Sequence, residues 1–357
     1  MNVTFLIGNG FDLACGLQTR YDQFTTKYCK LPSRSDAISS FKEEILKNAD
    51  TWADAELAFG KYTQNFSLNK FADFQECLDD FINEMGKYLL EQETSLEDLI
   101  VEKKGIDRFR KGLVQFNEYL PESSRSIISD VLEAANGKRR EINVIVFNYT
   151  NIFENLVTKL HDSDSQYIGS SKVKIGAEAV SYLGNVVYAH GKLNRSSLIF
   201  GLDNETQILN KQLLDTGELA YALIKPEANS YLFNESQRTC FELIAESSII
   251  CIFGMSIGLT DETWWKKIAE WLKNDPSHQL IQHAWISTCI RSSSGSYKRA
   301  LVEYREYLHD RLLLSEDEKR LLQYQIHIEC NIDLFGVSES VKPSTEYITV
   351  STLQSNK

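Results

Sequence analysis

Four short segments of the 357-residue chain place glycine or polar residues directly after apolar runs. The first is Gly8-Asn9-Gly10-Phe11-Asp12, after residues 3–7, with Gly16 beyond it. Two close glycines let a backbone approach a ligand, and a following helix N-terminus suits a pyrophosphate, although the standard three-glycine fingerprint is not present. The same residues also make a tight strand-to-helix turn, with glycine at positive φ and Asp12 capping the helix. Asp12 cannot face phosphate closely without a counter-charge, so it caps the helix or meets Arg20. The second segment is Asn148-Tyr149-Thr150-Asn151, after 142–147. An amide here can bind a ribose hydroxyl or orient a water. Asn151, with Glu154 three residues on, reads as a helix cap, which makes Asn148 the better site residue. The third is His190-Gly191, after 182–189. Histidine transfers protons near neutral pH, and a lone histidine is also often just a satisfied core residue. The fourth runs from Gly254 through Ser256 to Asp261, after 247–253. It suits a nucleotide's sugar or phosphate, or it is a loop that Thr260 ends as a cap, with Asp261 at the helix's positive end.

Positioning these segments requires their strands to lie side by side. Runs at 3–7, 142–147, 182–189, 247–253, 280–289 and 324–331 read as strands, and helical patterns at 207–224, 233–246, 263–273 and 297–311 separate several of them. Such alternation implies an α/β fold with a doubly wound, mostly parallel sheet. All strand carboxyl ends then share one edge, where ligands bind in the crevice. Between 31 and 140 apolar residues recur at three- and four-residue steps, as in Phe71, Phe74, Leu78, Phe81, Ile82, Met85 and Leu89, so this region reads as an all-helical insertion. Its apolar faces form its own core or associate with a second copy. Residues 1–30 and 141–335 would form the nucleotide-binding domain, and 336–357 a mobile tail.

Composition narrows the function classes. A formal net charge of −12 argues against broad nucleic-acid binding. Seven cysteines lie singly, without Cys-x-x-Cys spacing, which fits reduced thiols in a cytoplasmic protein and no structural zinc. The first apolar run stops at Gly8 and no later window is long enough to span a membrane, so neither a signal peptide nor a membrane contact is expected. No clustered carboxylate motif points to a catalytic metal.

Six segments together resemble the AbiH family of bacteriophage abortive-infection proteins: IGNGFDLACGLQTRYDQF at 7–24, WADAELAFGKY at 52–62, FNYTNIFENL at 147–156, YAHGKL at 188–193, IFGLD at 199–203 and IFGMSIGLTDETWW at 252–265. The same landmarks are similar to a divergent sirtuin-like Rossmann fold that binds NAD. Gly8-Asn9-Gly10 takes the place of the sirtuin Gly-Ala-Gly turn, His190-Gly191 that of the catalytic His-Gly, and Gly254-Met255-Ser256 that of Gly-Thr-Ser. Asn148-Tyr149-Thr150 matches Asn-x-Asp with threonine in the last place, and no zinc-binding cysteine quartet is present; both departures speak against protein deacylation.

The resemblance implies an anti-phage effector that hydrolyses NAD to nicotinamide and ADP-ribose, an NAD glycohydrolase. Asn148 and His190 would be catalytic. Gly8, Asn9, Gly10, Phe11, Asp12, Tyr21, Thr150, Gly254, Ser256 and Asp261 would bind NAD, with no metal. Implied partners are NAD or a related nucleotide, with a phage-derived trigger or a second copy of the chain. The alternative is a module that senses NAD or ADP-ribose without turnover and acts through a protein partner.

Overall fold

A computed structural model describes residues 1–96, 103–134, 139–160, 166–172, 178–193, 198–232, 235–284, 294–330 and 332–336. Residues 337–357 of the expected tail at 336–357, and the 285–289 end of the fifth strand run, lie outside the described residues.

The strands are β1 (Asn2–Ile7), β2 (Arg140–Val146), β3 (Tyr167–Lys172), β4 (Glu178–Tyr188), β5 (Ile249–Phe253), β6 (Gln279–Ala284) and β7 (Ile326–Cys330). They form one seven-stranded sheet in the order β3-β4-β2-β1-β5-β6-β7. Every pairing is parallel except β3 against β4. The expected mostly parallel α/β sheet is therefore present. β3 was not legible in the sequence, because Tyr-Ile-Gly-Ser-Ser-Lys has no apolar run and its register on β4 shifts. It lies at the sheet edge, where a polar strand needs only one partner.

The near-continuous apolar runs follow from burial on both faces. Alternate residues point to opposite sides. Phe5, Ile7, Val144, Val146, Cys251 and Phe253 join one core, which includes residues of the helices Lys103–Val114, Glu122–Ala134 and Ile152–Val157. Leu6, Ile145, Ile250 and Ile252 join the other, with residues of the helices Ser236–Ala245, Glu262–Asn274 and Ser294–Arg311. A third core is strongly aromatic and lies away from the sheet. It gathers Phe24, Tyr28, Phe41, Trp52, Phe59 and Phe81 with Phe200, Leu202 and Leu223.

The helical stretch at 31–140 thus contributes to two cores. Ile106, Phe109, Leu113, Ile128 and Leu132 pack onto the sheet. The earlier helices, including Phe71–Leu96, pack with residues from 193–224. Periodicity identifies an apolar face but not what covers it. Among the described residues, no helix is long and apolar enough to cross a membrane.

The loops after β1 and β5 are pressed together. Gly8 N–H donates to Phe253 O at 2.9 Å, and Gly10 N–H to Gly254 O at 2.8 Å. A Cβ on Gly8 would lie 2.3 Å from Met255 Cα, and one on Gly10 2.5 Å from Gly254 Cα. Backbone meets backbone here, so no side chain can yield. Gly8→Ala is therefore expected to lower unfolding free energy by ~1–3 kcal/mol, read from denaturant unfolding. A variant as stable as the wild type would contradict this packing.

Candidate functional site

Parallel register places the segments after β1, β2, β4 and β5 along one edge. Ile7 is paired with Val146, Val146 with Tyr188, and Ile7 with Phe253. The pairing extends past the strands: Phe147 N–H donates to Ile7 O at 2.8 Å, and Ala189 N–H to Val146 O at 2.9 Å. Asn148 and His190 consequently follow neighbouring strands at the same level.

Asp12 organises a first network. It lies in the helix Gly10–Ala14 and is buried. Its carboxylate accepts from Asn148 Nδ2 at 2.7 Å and from Thr150 Oγ1 at 2.7 Å. Burial is the chief cause that pushes its carboxyl up to about 7; the bonds from Thr150 and Asn148 oppose this, and the charge of Glu93 adds to it. Asp12 thus neither caps the helix nor meets Arg20, whose guanidinium donates to Asp22 at 2.9 Å. Asn151 sits at a helix start, but its side chain makes no capping bond. Its backbone N–H and Nδ2 donate to Glu93 instead. Asn148 Oδ1 is buried without a partner.

His190 belongs to a second network. The turn after it is made by Gly191 at φ 76°, and Ile199 N–H donates to His190 O at 2.8 Å. The ring packs edge-on to Phe147, centroids 5.4 Å apart, and lies 6.3 Å from Trp264. Its Nε2 is buried without a hydrogen-bond partner, 3.7 Å from Asp261 Oδ1. Burial first, and then the charge of Lys225, pushes the imidazole down to about 3 against the opposing pull of Asp261, so it is neutral at pH 7. Lys225 Nζ donates to Asp261 Oδ1 at 3.0 Å and Glu56 Oε2 at 3.1 Å. Burial alone would lower its pKa, but these carboxylates outweigh that and raise it. Burial nevertheless pushes the Glu56 carboxyl up, against the opposing charge of Lys225. Tyr149 Oη donates to Ile199 O at 3.1 Å, and burial first, then the nearby charges of Glu56 and Asp261, pushes the Tyr21 and Tyr149 hydroxyls up.

The sequence-predicted residues therefore divide. Asp12, Asn148 and Thr150 are joined directly, and His190 meets Asp261. No hydrogen bond among the described residues connects Asn148 to His190, although they end adjacent strands. Gly8, Gly10 and Gly254 form the loop contact, and Phe11 is core, its ring 5.1 Å from Phe153. Asn9 bonds to Thr19 through both ends of its amide, and Ser256 is exposed. The amides of Gly8, Gly10 and Phe11 are bonded to carbonyls of Phe253, Gly254 and Gly8. Asp203, not Thr260, serves the start of the helix Glu262–Asn274, accepting from Thr263 N–H at 3.0 Å. Sequence reasoning missed Glu56 and Lys225. The one available signal was an acid inside the apolar run Ala55-Glu56-Leu57-Ala58-Phe59. Among the described residues, no group of three or more His, Cys, Asp or Glu is arranged to hold a metal ion.

A family model described as Bacteriophage abortive infection AbiH matches residues 4–283. The chain belongs to the AbiH family. Both networks lie within the segment matched to AbiH, as do the loops after β1, β2, β4 and β5. A search of curated proteins found no match.

The raised Asp12 carboxyl makes a pH prediction. It binds a proton more tightly in the folded chain, at about 7, than at its ordinary 3.8. Its contribution to stability is full below about pH 4 and is lost as pH rises through about 7. Asp12→Asn should flatten the fall in unfolding free energy between these limits, measured by denaturant titration at several pH values. An unchanged slope in this variant would contradict the assignment.

Proposed function

We propose that this AbiH protein is an anti-phage effector that binds NAD over the carboxyl edge of its sheet and hydrolyses it to nicotinamide and ADP-ribose. One observation carries the reading: Asn148 Oδ1 and His190 Nε2, at the ends of adjacent strands, are both buried without partners. Leaving such a group unpaired costs ~1–3 kcal/mol, and functional sites are where such groups are kept. Further support comes from strand order. The parallel strands β4-β2-β1-β5-β6-β7 reverse their progression between β1 and β5, as in doubly wound dinucleotide-binding folds.

Hydrolysis breaks the bond between the nicotinamide nitrogen and the ribose. The leaving ring takes the bonding pair and becomes neutral, water adds to the sugar carbon, and a proton is released. The transition state is oxocarbenium-like, so orientation and exclusion of bulk water matter more than base strength. A His190 of such low basicity suits hydrogen bonding to a ribose hydroxyl better than proton abstraction. Asn148 orients the attacking water or a second hydroxyl. Ser256, exposed at the rim, meets the other ribose. Because three amides of the first loop are already bonded, the pyrophosphate would lie at Asn9 and beyond rather than on Gly8 and Gly10.

The low proton affinity of His190 also favours a second reading, NAD or ADP-ribose sensing without turnover. Nicotinamide release in phage-infected cells separates the two. Wild-type protein should deplete NAD and release nicotinamide, and Asn148→Ala or His190→Ala should reduce this by about 100-fold or more. Release retained by His190→Ala overturns the site assignment. Tight ADP-ribose binding with no release in infected cells supports the sensor instead.

A further inference from the structure

We infer that Asp12 is a positioning residue that sets the hydrogen-bond polarity of Asn148 and Thr150, so that the subsite they form takes the hydroxyl groups of a sugar and rejects anionic groups. The inference rests on the nucleotide reading above and changes the expected role of Asp12, from touching the ligand to orienting what touches it.

The donors and acceptors around Asp12 fix this polarity. Asp12 Oδ1 receives Asn148 Nδ2 and Asp12 Oδ2 receives Thr150 Oγ1, each at 2.7 Å. A threonine hydroxyl has one hydrogen, and with Asp12 ionised, above about pH 7, it is committed to that carboxylate. The two ends of an asparagine amide point apart, so turning Nδ2 toward Asp12 turns Oδ1 away from it. That oxygen is buried and unpartnered. The backbone on either side is fixed, by Phe147 N–H on Ile7 O at 2.8 Å and Leu193 N–H on Tyr149 O at 2.9 Å. What remains for a ligand is the carbonyl oxygen of Asn148 and the lone pairs of Thr150, all acceptors, against a single second hydrogen on Asn148 Nδ2.

A ligand group facing two acceptors must donate. Sugar hydroxyls do so; phosphate and carboxylate oxygens do not. The charge nearby adds to the exclusion. Glu93 acts on Asp12, and the Cys15 thiol and Tyr188 hydroxyl also lie within its electrostatic reach. None of these is a cation, and Lys192, 4.9 Å over the Tyr188 ring, is bonded to Glu154. This accounts for a carboxylate beside a glycine turn that otherwise suggests a phosphate loop. The carboxylate serves a hydroxyl subsite behind that turn.

Asp12→Asn tests the polarity at nearly constant shape. An amide at position 12 accepts at one end and donates at the other, so either Asn148 or Thr150 must reverse. Calorimetry should compare ADP-ribose with its analogues lacking the 2′ or 3′ hydroxyl on the ribose that carries nicotinamide in NAD. Wild-type protein is expected to bind at least one deoxy analogue about tenfold more weakly than ADP-ribose. Asp12→Asn should weaken ADP-ribose by about tenfold and shrink that discrimination to under about threefold. Thr150→Ser should behave as wild type and Thr150→Val as Asp12→Asn, which guards against a variant at 12 that folds poorly. Discrimination that survives both Asp12→Asn and Thr150→Val overturns the inference while leaving the nucleotide reading intact. If wild-type protein binds neither NAD nor ADP-ribose, the nucleotide reading fails, and the ligand-free protein decides the role of Asp12. Side-chain amide signals of Asn148 in asparagine-labelled protein, read by nuclear magnetic resonance, should differ between wild type and either Asp12→Asn or Thr150→Val. Signals unchanged in both variants overturn the inference.

Discussion

A carboxylate buried at the end of a parallel sheet has to be surrounded by donors, and Asp12 finds them in the loop that follows the neighbouring strand. Its bonds to Asn148 and Thr150 tie the loop after β1 to the loop after β2, 136 and 138 positions apart in the chain. The rest of the edge is organised around that tie. Gly8 and Gly10 bring the β1 loop into backbone contact with the β5 loop. β4, paired with β2 on its other side, delivers His190 to the level of Asn148. The sheet supplies the register, and the buried charge fixes which way the side chains face.

The second network connects this edge to the aromatic core. Lys225 is bonded to Glu56, from the helix Ala55–Tyr62, and to Asp261, from the loop after β5. An ammonium buried with two carboxylates is held strongly only while both remain, because removing a partner leaves a buried charge uncompensated. His190 lies beside this ion pair and carries no charge of its own at neutral pH. The arrangement makes the imidazole a fixed hydrogen-bonding group in a low-dielectric setting. It also joins the helical part of an abortive-infection protein to the same edge that carries Asn148.

Much of this was legible in the sequence where the signal is local. Apolar runs that stop at Gly8, Asn148, His190 and Gly254 mark strands whose ends carry unusual residues, and the sheet has those strands side by side. The segments resembling AbiH likewise lead to the family that the chain belongs to. What escaped was pairing at a distance. Lys225 and Glu56 are 169 positions apart, and nothing in either neighbourhood announces the other. Asp12 was read as a cap or a partner for Arg20, because those are its near neighbours in sequence; parallel pairing supplied closer ones. Asn151 has the spacing of a cap, yet Glu93 on the long helix Phe71–Leu96 takes its amide. β3 has no apolar alternation, and the helices at 31–140 show an apolar face without showing which core it enters.

The most direct test of the account is a crystal structure of the protein soaked with ADP-ribose. The expected result is a bound ligand whose ribose hydroxyl lies within about 3.2 Å of Asn148 Oδ1, with a second ligand group at the same distance from His190 Nε2 and the Asp12 bonds unchanged. Ligand bound elsewhere, with that carbonyl and that imidazole still unpartnered, would contradict it.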